Sequence, residues 1–185
     1  MLIASACWQV TSDGYIYIID VDVLARIHVR KDSKNTYDAL IAMAQAKKLR
    51  TVRQTFDELK RFGTVNDILK GHRDAFQIPA EDQFHENVSA LIEILGNEAP
   101  YLWEQTGRKN PDPADPWIVA VAAQYGCTVV TNESPRSPMR IPAACKLPKI
   151  DCRCIRGPHF LMEIGLVKEI KPEHIDPAFF FNEGE

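Results

Sequence analysis

Two short runs of strand-forming residues, far apart in the chain, constrain its fold more than any other feature. Tyr15 to Ile19 is wholly apolar or aromatic, and Cys127 to Thr131 is rich in valine and threonine. Runs without polar alternation are typical of strands covered on both faces, as in a parallel sheet between helices. Each run stops at polar residues, Asp20 in one case and Asn132 with Glu133 in the other.

Helical patterns fill most of the chain between and around these runs. Apolar spacing and glycine stops predict helices over residues 36–48, 55–62, 65–76, 82–95, 117–124 and 160–165, with short strands over 49–52 and 150–155. Proline-rich residues 134–142 predict a loop. This order indicates an α/β sandwich in which helices flank a central parallel sheet, with a helical insertion between residues 63 and 110.

Length and composition favour a single globular domain over residues 1–185. A chain of 185 residues buries about 70% of its unfolded surface, and 45% hydrophobic with 25% charged residues is ordinary for such domains. Residues 1–14 are interpreted as an N-terminal extension, because they lack the basic start of a signal peptide, and residues 172–185 as a weakly patterned tail. Apolar stretches are too short to span a membrane. Five cysteines fit a reducing compartment, and we expect the cytoplasm.

Four acidic residues lie at the predicted ends of strands, at the start of a helix or within a helix. They are Asp20, Glu58, Asp115 and Glu133. Parallel sheets place ligands at the carboxyl ends of their strands, and carboxylate oxygens suit Mg²⁺ or Mn²⁺. Taken singly, each acid has an ordinary interpretation. Asp20 would be a turn former and Glu58 a solvated helix residue. Asp115 would be a helix N-cap followed by Pro116, and Glu133 a loop acid. Together they predict a metal site assembled by folding.

Four segments resemble the PIN-like domain superfamily. They are I-I-D-V-D-V-L (18–24), F-D-E-L-K-R (56–61), A-D-P-W-I-V-A-V-A (114–122) and V-V-T-N-E-S (129–134). The D-P-W and V-T-x-E segments, with Ile141-Pro142, Cys145 and Cys152, are most similar to an uncharacterised PIN-like family related to VapC-type toxin ribonucleases. The resemblance implies a PIN-like three-layer sandwich and a metal-dependent ribonuclease, the toxin of a toxin-antitoxin pair. It also implies an RNA substrate, a cognate antitoxin and a homodimer.

The resemblance places the family's acidic positions on Asp20, Glu58, Asp115 and Glu133, with Thr131 as a polar neighbour. Ionised carboxylates at such close range repel strongly, so the group calls for one or two divalent cations or for a bound proton. We expect Asp20 to be the central ligand, with Asp115 and Glu133 completing the coordination. Glu58 is expected to hold or deprotonate the attacking water, and Thr131 to hydrogen-bond a ligand or phosphate.

Two positions depart from the PIN pattern, and neighbouring acids offer substitutes. Asp22 stands where a small hydroxylated residue or asparagine is usual, and Glu133 where aspartate is commoner. Asp22, Asp57 and Asp112 therefore rank second as site residues. The net charge of −3 provides no global attraction for RNA, although local groups of Lys and Arg exist.

Other interpretations use the same residues. D-V-D-V-L also resembles the first motif of haloacid-dehalogenase-like phosphatases, with Asp20 as nucleophile, although no downstream G-D-x-x-x-D pair follows Lys149. A non-catalytic PIN-like module that binds RNA or protein is the non-enzymatic alternative. The cysteines at 145, 152 and 154 with His159 read either as a zinc site or, as we prefer, as buried core residues. Trp103 is interpreted as a core residue, with base stacking as the alternative if it is exposed.

Overall fold

A four-stranded, entirely parallel sheet forms the centre of the molecule. A computed structural model describes residues 16–27, 33–104 and 112–168. In spatial order β2-β1-β3-β4, the strands are β2 (Leu49–Arg50), β1 (Tyr17–Ile19), β3 (Thr128–Thr131) and β4 (Cys154–Arg156). The predicted parallel sheet is therefore confirmed. The extension at 1–14 and the tail at 172–185 lie outside the described residues.

Ten helices accompany the sheet within the described ranges. They are α1 (Val21–Ile27), α2 (Ser33–Gln45), α3 (Arg53–Leu59), α4 (Gly63–Leu69), α5 (Arg73–Phe76), α6 (Ala80–Gln83), α7 (Glu86–Glu98), α8 (Ala114–Tyr125), α9 (Ile141–Ala144) and α10 (Gly157–Glu163). Single 3-10 turns lie at Lys70–His72 and Pro100–Leu102. The helices predicted around residues 36–48, 55–62, 117–124 and 160–165 are confirmed with shifted ends.

Several predicted boundaries differ from the structure. The helix predicted over 65–76 is divided into α4 and α5 by a 3-10 turn. The helix predicted over 82–95 is divided into α6 and α7 because His85 caps α7, its Nδ1 accepting the Asn87 N–H at 3.2 Å. The edge strand predicted over 150–155 begins only at Cys154. Part of the predicted loop at 134–142 is the first turn of α9.

Helices cover both faces of the sheet because successive strand residues point to opposite sides. Ile18 and Val129 belong to a core shared with α7, α8 and α9. Their neighbours Ile19 and Val130 belong to a second core shared with α1, α2 and α3. All four side chains are fully buried. This double burial explains why both strands lack polar alternation, and it confirms the helices expected on the two faces.

Helix α8 crosses the first core and delivers its N-terminus to the carboxyl end of the sheet. The helix ends at Gly126, whose φ of 66° is left-handed and favours glycine, and the chain turns directly into β3. Because α8 precedes β3 and packs against it, it runs antiparallel to that strand. The start of α8 therefore lies beside the end of β3. Within the described ranges, no helix is long and apolar enough to cross a membrane.

Candidate metal centre

The strand order opens a crevice between the carboxyl ends of β1 and β3. From β1 the chain passes to β2 on one side and later returns to β3 on the other. Open α/β sheets bind ligands at such switch points. Asp20 follows β1 directly, and Thr131 is the last residue of β3. The Thr131 hydroxyl donates to Asp20 Oδ2 at 3.0 Å, so both predicted site residues line this crevice.

Asp20 is buried among other acids. Only 4% of its surface is exposed, and its Oδ1 accepts the Val21 N–H at 2.6 Å. Burial raises the pKa of this carboxyl well above its ordinary value, and the negative charges of Asp22, Asp115 and Glu133 raise it further. The Thr131 hydrogen bond acts in the opposite direction. Residues from three separate parts of the chain therefore converge on Asp20.

Asp115 enters the crevice from the first turn of α8. Its surface is 5% exposed, and burial, followed by the charges of Glu133 and Glu58, raises its pKa well above the ordinary value. The expectation that Asp115 is the N-cap is wrong, because the helix begins at Ala114 and Pro113 occupies the cap position. Glu58 Oε1 accepts the Ala114 N–H at 3.2 Å, so a carboxylate from α3 satisfies this helix terminus.

Glu133 is oriented by α9 on the far side of the crevice. Its Oε2 accepts the Ile141 N–H at 2.7 Å, and Oε1 lies 3.4 Å from Arg140 Nη1. The Glu133 N–H in turn donates to the Thr131 hydroxyl at 3.2 Å. Burial raises the pKa of Glu133, while the Ile141 N–H and Arg140 oppose that shift. The predicted loop acid is therefore a fixed member of the site.

Asp22, ranked second from the sequence, joins the group. It lies in the first turn of α1, and both of its oxygens stand 3.2 Å from the Asn132 backbone nitrogen, which donates to them. Burial raises its pKa, whereas hydrogen bonds from Asn132 and with Asp20 lower it. The D-x-D spacing was the available signal in the sequence. The contact itself joins the first turn of α1 to the residue that follows β3, and no local pattern shows it.

Asp57 and Asp112 make other contacts. Asp57 is exposed and pairs with Lys60 at 2.7 Å. Asp112 accepts hydrogen bonds from Gln54 Nε2 at 2.7 Å and from Trp117 Nε1 at 2.6 Å. These contacts give both aspartates structural partners outside the crevice, so Asp22 is the substitute that the structure favours.

The donor set suits a hard divalent cation. The side chains that converge are carboxylates and one hydroxyl, which are typical oxygen ligands of Mg²⁺ and Mn²⁺. Several of these oxygens are now occupied by backbone N–H groups of Val21, Asn132 and Ile141. Throughout the described ranges, no group of three or more His, Cys, Asp or Glu side chains stands ready to hold a metal ion.

The cysteines near the C-terminal strand pack as core residues. Cys145 is buried, and Cys152 and Cys154 pack against the same core. Hydrogen bonds with these two thiols, together with burial, raise the pKa of Cys145 well above its ordinary value. His159 is exposed on α10. Cys145 is therefore a buried core residue, Cys152 and Cys154 are half-buried beside it, and Trp103 packs against the same core.

Comparison with known proteins gives one assignment. No curated protein matches the chain. A family profile described as Domain of unknown function (DUF4411) matches residues 17–163. The matched region contains all four strands and every carboxylate of the crevice. The chain therefore belongs to the family of domains of unknown function designated DUF4411.

Proposed function

We propose that the protein is a metal-dependent ribonuclease of PIN type, which hydrolyses RNA phosphodiester bonds. The observation that carries this proposal is the convergence of Asp20, Asp22, Asp115 and Glu133 at the switch point of a parallel sheet. Burying several like charges together is costly unless a cation binds, so the arrangement is better explained by metal-assisted chemistry than by stability. The similarity of the four acidic segments to PIN domains gives the reaction class.

The proposed mechanism assigns metal binding to four carboxylates and proton transfer to one of them. Asp20, Glu58, Asp115 and Glu133 would hold Mg²⁺ or Mn²⁺, and Asp22 would support Asp20. When bound, the cation supplies an acidified water and stabilises charge on the leaving oxygen. Glu58, half-buried on α3 beside the start of α8, would accept the proton of the attacking water.

Two further groups act on the substrate or on the ligands. Thr131 fixes the orientation of Asp20 through its hydroxyl. Arg140 balances Glu133, and its partly exposed guanidinium provides positive charge at the rim of the crevice for a substrate phosphate. The charge of Arg140 therefore favours a phosphate-bearing substrate over a neutral one.

The test is RNA cleavage by purified protein with Mg²⁺ or Mn²⁺, using structured and unstructured RNA. We expect cleavage that EDTA abolishes and that Asp20→Asn abolishes in a folded protein. Asp57→Asn is the matched control, since Asp57 lies next to Glu58 but pairs with Lys60 at the surface, and it should cleave normally. Retained cleavage by Asp20→Asn, or none by folded wild type with either metal, would contradict the proposal.

The biological part of the proposal is that this nuclease is the toxin of a toxin-antitoxin pair. A cognate antitoxin would bind over the crevice, and a homodimer is the expected assembly. Induced expression of wild type should arrest growth of a host, whereas Asp20→Asn should not. Arrest by both proteins would separate toxicity from nuclease activity and would argue against this role.

A further inference from the structure

An exposed aromatic ring lies between residues of α3 and α8, the two helices that carry Glu58 and Asp115. Phe84 follows α6 and is 45% exposed. Its ring meets Trp117 edge-on, with centroids 5.3 Å apart and an interplanar angle of 77°. The guanidinium carbon of Arg53 lies 5.6 Å from the centroid of the Phe84 ring. We call Phe84, Trp117 and Arg53 the Phe84 platform.

The platform lies at the same edge of the sheet as the carboxylates. Arg53 is the first residue of α3, which begins directly after β2, and Glu58 lies further along the same helix. Trp117 is in the first turn of α8, two residues after Asp115, so the two side chains leave the helix on opposite faces. The link to the crevice runs along α3, where Gln54, which donates to Asp112, lies one turn before Glu58 on the same face. Because Glu58 accepts the Ala114 N–H, the platform lies beside the α3 side of the crevice.

A chain of buried amides holds the residues around the platform. Gln83 Nε2 donates to Gln54 Oε1 at 2.7 Å, and Gln54 Nε2 donates to Asp112 Oδ2 at 2.7 Å. Asp112 Oδ1 accepts the Trp117 indole N–H, while Gln83 Oε1 accepts the Arg53 backbone N–H at 3.0 Å. Gln54 and Gln83 are 2% and 1% exposed. These hydrogen bonds hold the residues around the Phe84 ring in place, which lowers the entropy lost when a ligand binds.

We propose that the Phe84 platform stacks an unpaired nucleobase of the RNA strand that enters the crevice. This inference rests on the proposed ribonuclease function and names a substrate subsite for it. An exposed aromatic face accepts any base, because every base has a π-face, and an adjacent guanidinium adds attraction for the base and its phosphate. Arg53 Nη2 lies 3.6 Å from Asp112 Oδ2 in an exposed pair, and the five N–H donors of a guanidinium allow a phosphate contact beside it. The platform consequently favours single-stranded RNA and reads no particular base.

The test measures binding without cleavage, in the full chain carrying Asp20→Asn. A fluorescein-labelled single-stranded RNA oligomer is titrated by anisotropy, and the same oligomer with 2-aminopurine reports stacking. Phe84→Ala should weaken binding roughly 5- to 100-fold and abolish the 2-aminopurine signal, whereas Phe84→Trp should retain both. Phe62→Ala is the matched control, because Phe62 is 41% exposed but lies beyond the far end of α3, and it should bind normally. Arg53→Gln should flatten the salt dependence by about 0.7 logarithmic units per decade.

Failure of this subsite and failure of the nuclease are distinguishable. Equal oligomer binding by Phe84→Ala and its parent, with metal-dependent cleavage intact in otherwise wild-type protein, would overturn the platform and leave the nuclease. Absence of cleavage by folded wild type together with Phe84-dependent oligomer binding would overturn the nuclease and support the platform. Equal losses in Phe84→Ala and Phe62→Ala would reduce the effect to general surface hydrophobicity and would also overturn the platform. Thermal melting of each variant verifies that it is folded.

Discussion

Replacing Gly157 by alanine should destabilise the protein through a single steric contact behind the crevice. A Cβ at this position would stand 2.7 Å from Asn132 Oδ1 and 3.2 Å from Val23 Cγ1. The Gly157 N–H also donates to Asn132 Oδ1 at 3.2 Å, so the clash and the hydrogen bond involve the same buried amide. Overpacking costs about 1–3 kcal/mol, and alanine recovers about 0.4–1 kcal/mol by restricting the unfolded chain. The net expected loss is about 1–2 kcal/mol.

Chemical denaturation measures this loss directly, and thermal melting should show a midpoint roughly 2–8 °C lower. Gly96→Ala is the matched control, because Gly96 is exposed within α7 and a Cβ there meets nothing within 4 Å. Alanine should stabilise that helix by about 0.5–1 kcal/mol, so the two variants should shift in opposite directions. A Gly157→Ala protein as stable as wild type would refute the close packing of Asn132 against α10.

Three further outcomes follow from the same geometry. Because the folded-state pKa of Asp20 is raised, urea titrations of the metal-free protein should show a loss of stability as pH rises above about 4. Asp20→Asn should be more stable than wild type at neutral pH and should lose less stability over that range; a steeper loss in this variant would contradict the direction of the pKa shift. Thr131→Val removes a donor to Asp20 and an acceptor for the Glu133 N–H, and should cost about 1–3 kcal/mol in guanidinium titrations, with no change contradicting it. Asp112→Ala leaves Gln54 Nε2 unsatisfied and should cost a similar amount while Mn²⁺ affinity is retained; loss of Mn²⁺ binding would make Asp112 a ligand.

The strands that form the centre of the sheet were predictable, whereas the peripheral elements were less so. Ile18 and Ile19 face opposite cores and are both fully buried, so β1 carries an unbroken apolar signal. Strand β4 is half-buried and of mixed polarity, so the strand predicted over 150–155 was placed with too early a start. Helix α1 was missed because it begins one residue after Asp20, and V-D-V-L alternates like a strand.

The candidate site was predictable in its members but not in its contacts. Asp20, Asp115 and Glu133 stand at element ends, where the sequence pattern signals them. The assignment of Asp22 depends on the Asn132 N–H, and that of Asp112 on the buried amide of Gln54. Such long-range hydrogen bonds are specified only when β1, β3, α3 and α8 pack together, so no local pattern could reveal them.

Calorimetric titration of Mn²⁺ into the metal-free protein tests the central claim most directly. Burial and mutual repulsion raise the pKa values of Asp20 and Asp115, so binding should release protons and the measured enthalpy should depend on the ionisation enthalpy of the buffer. We predict that wild type and Asp57→Asn bind Mn²⁺ with proton release, and that Asp20→Asn binds at least about tenfold more weakly and releases fewer protons. Equal binding by Asp20→Asn, or none by folded wild type, would contradict a metal centre at this crevice.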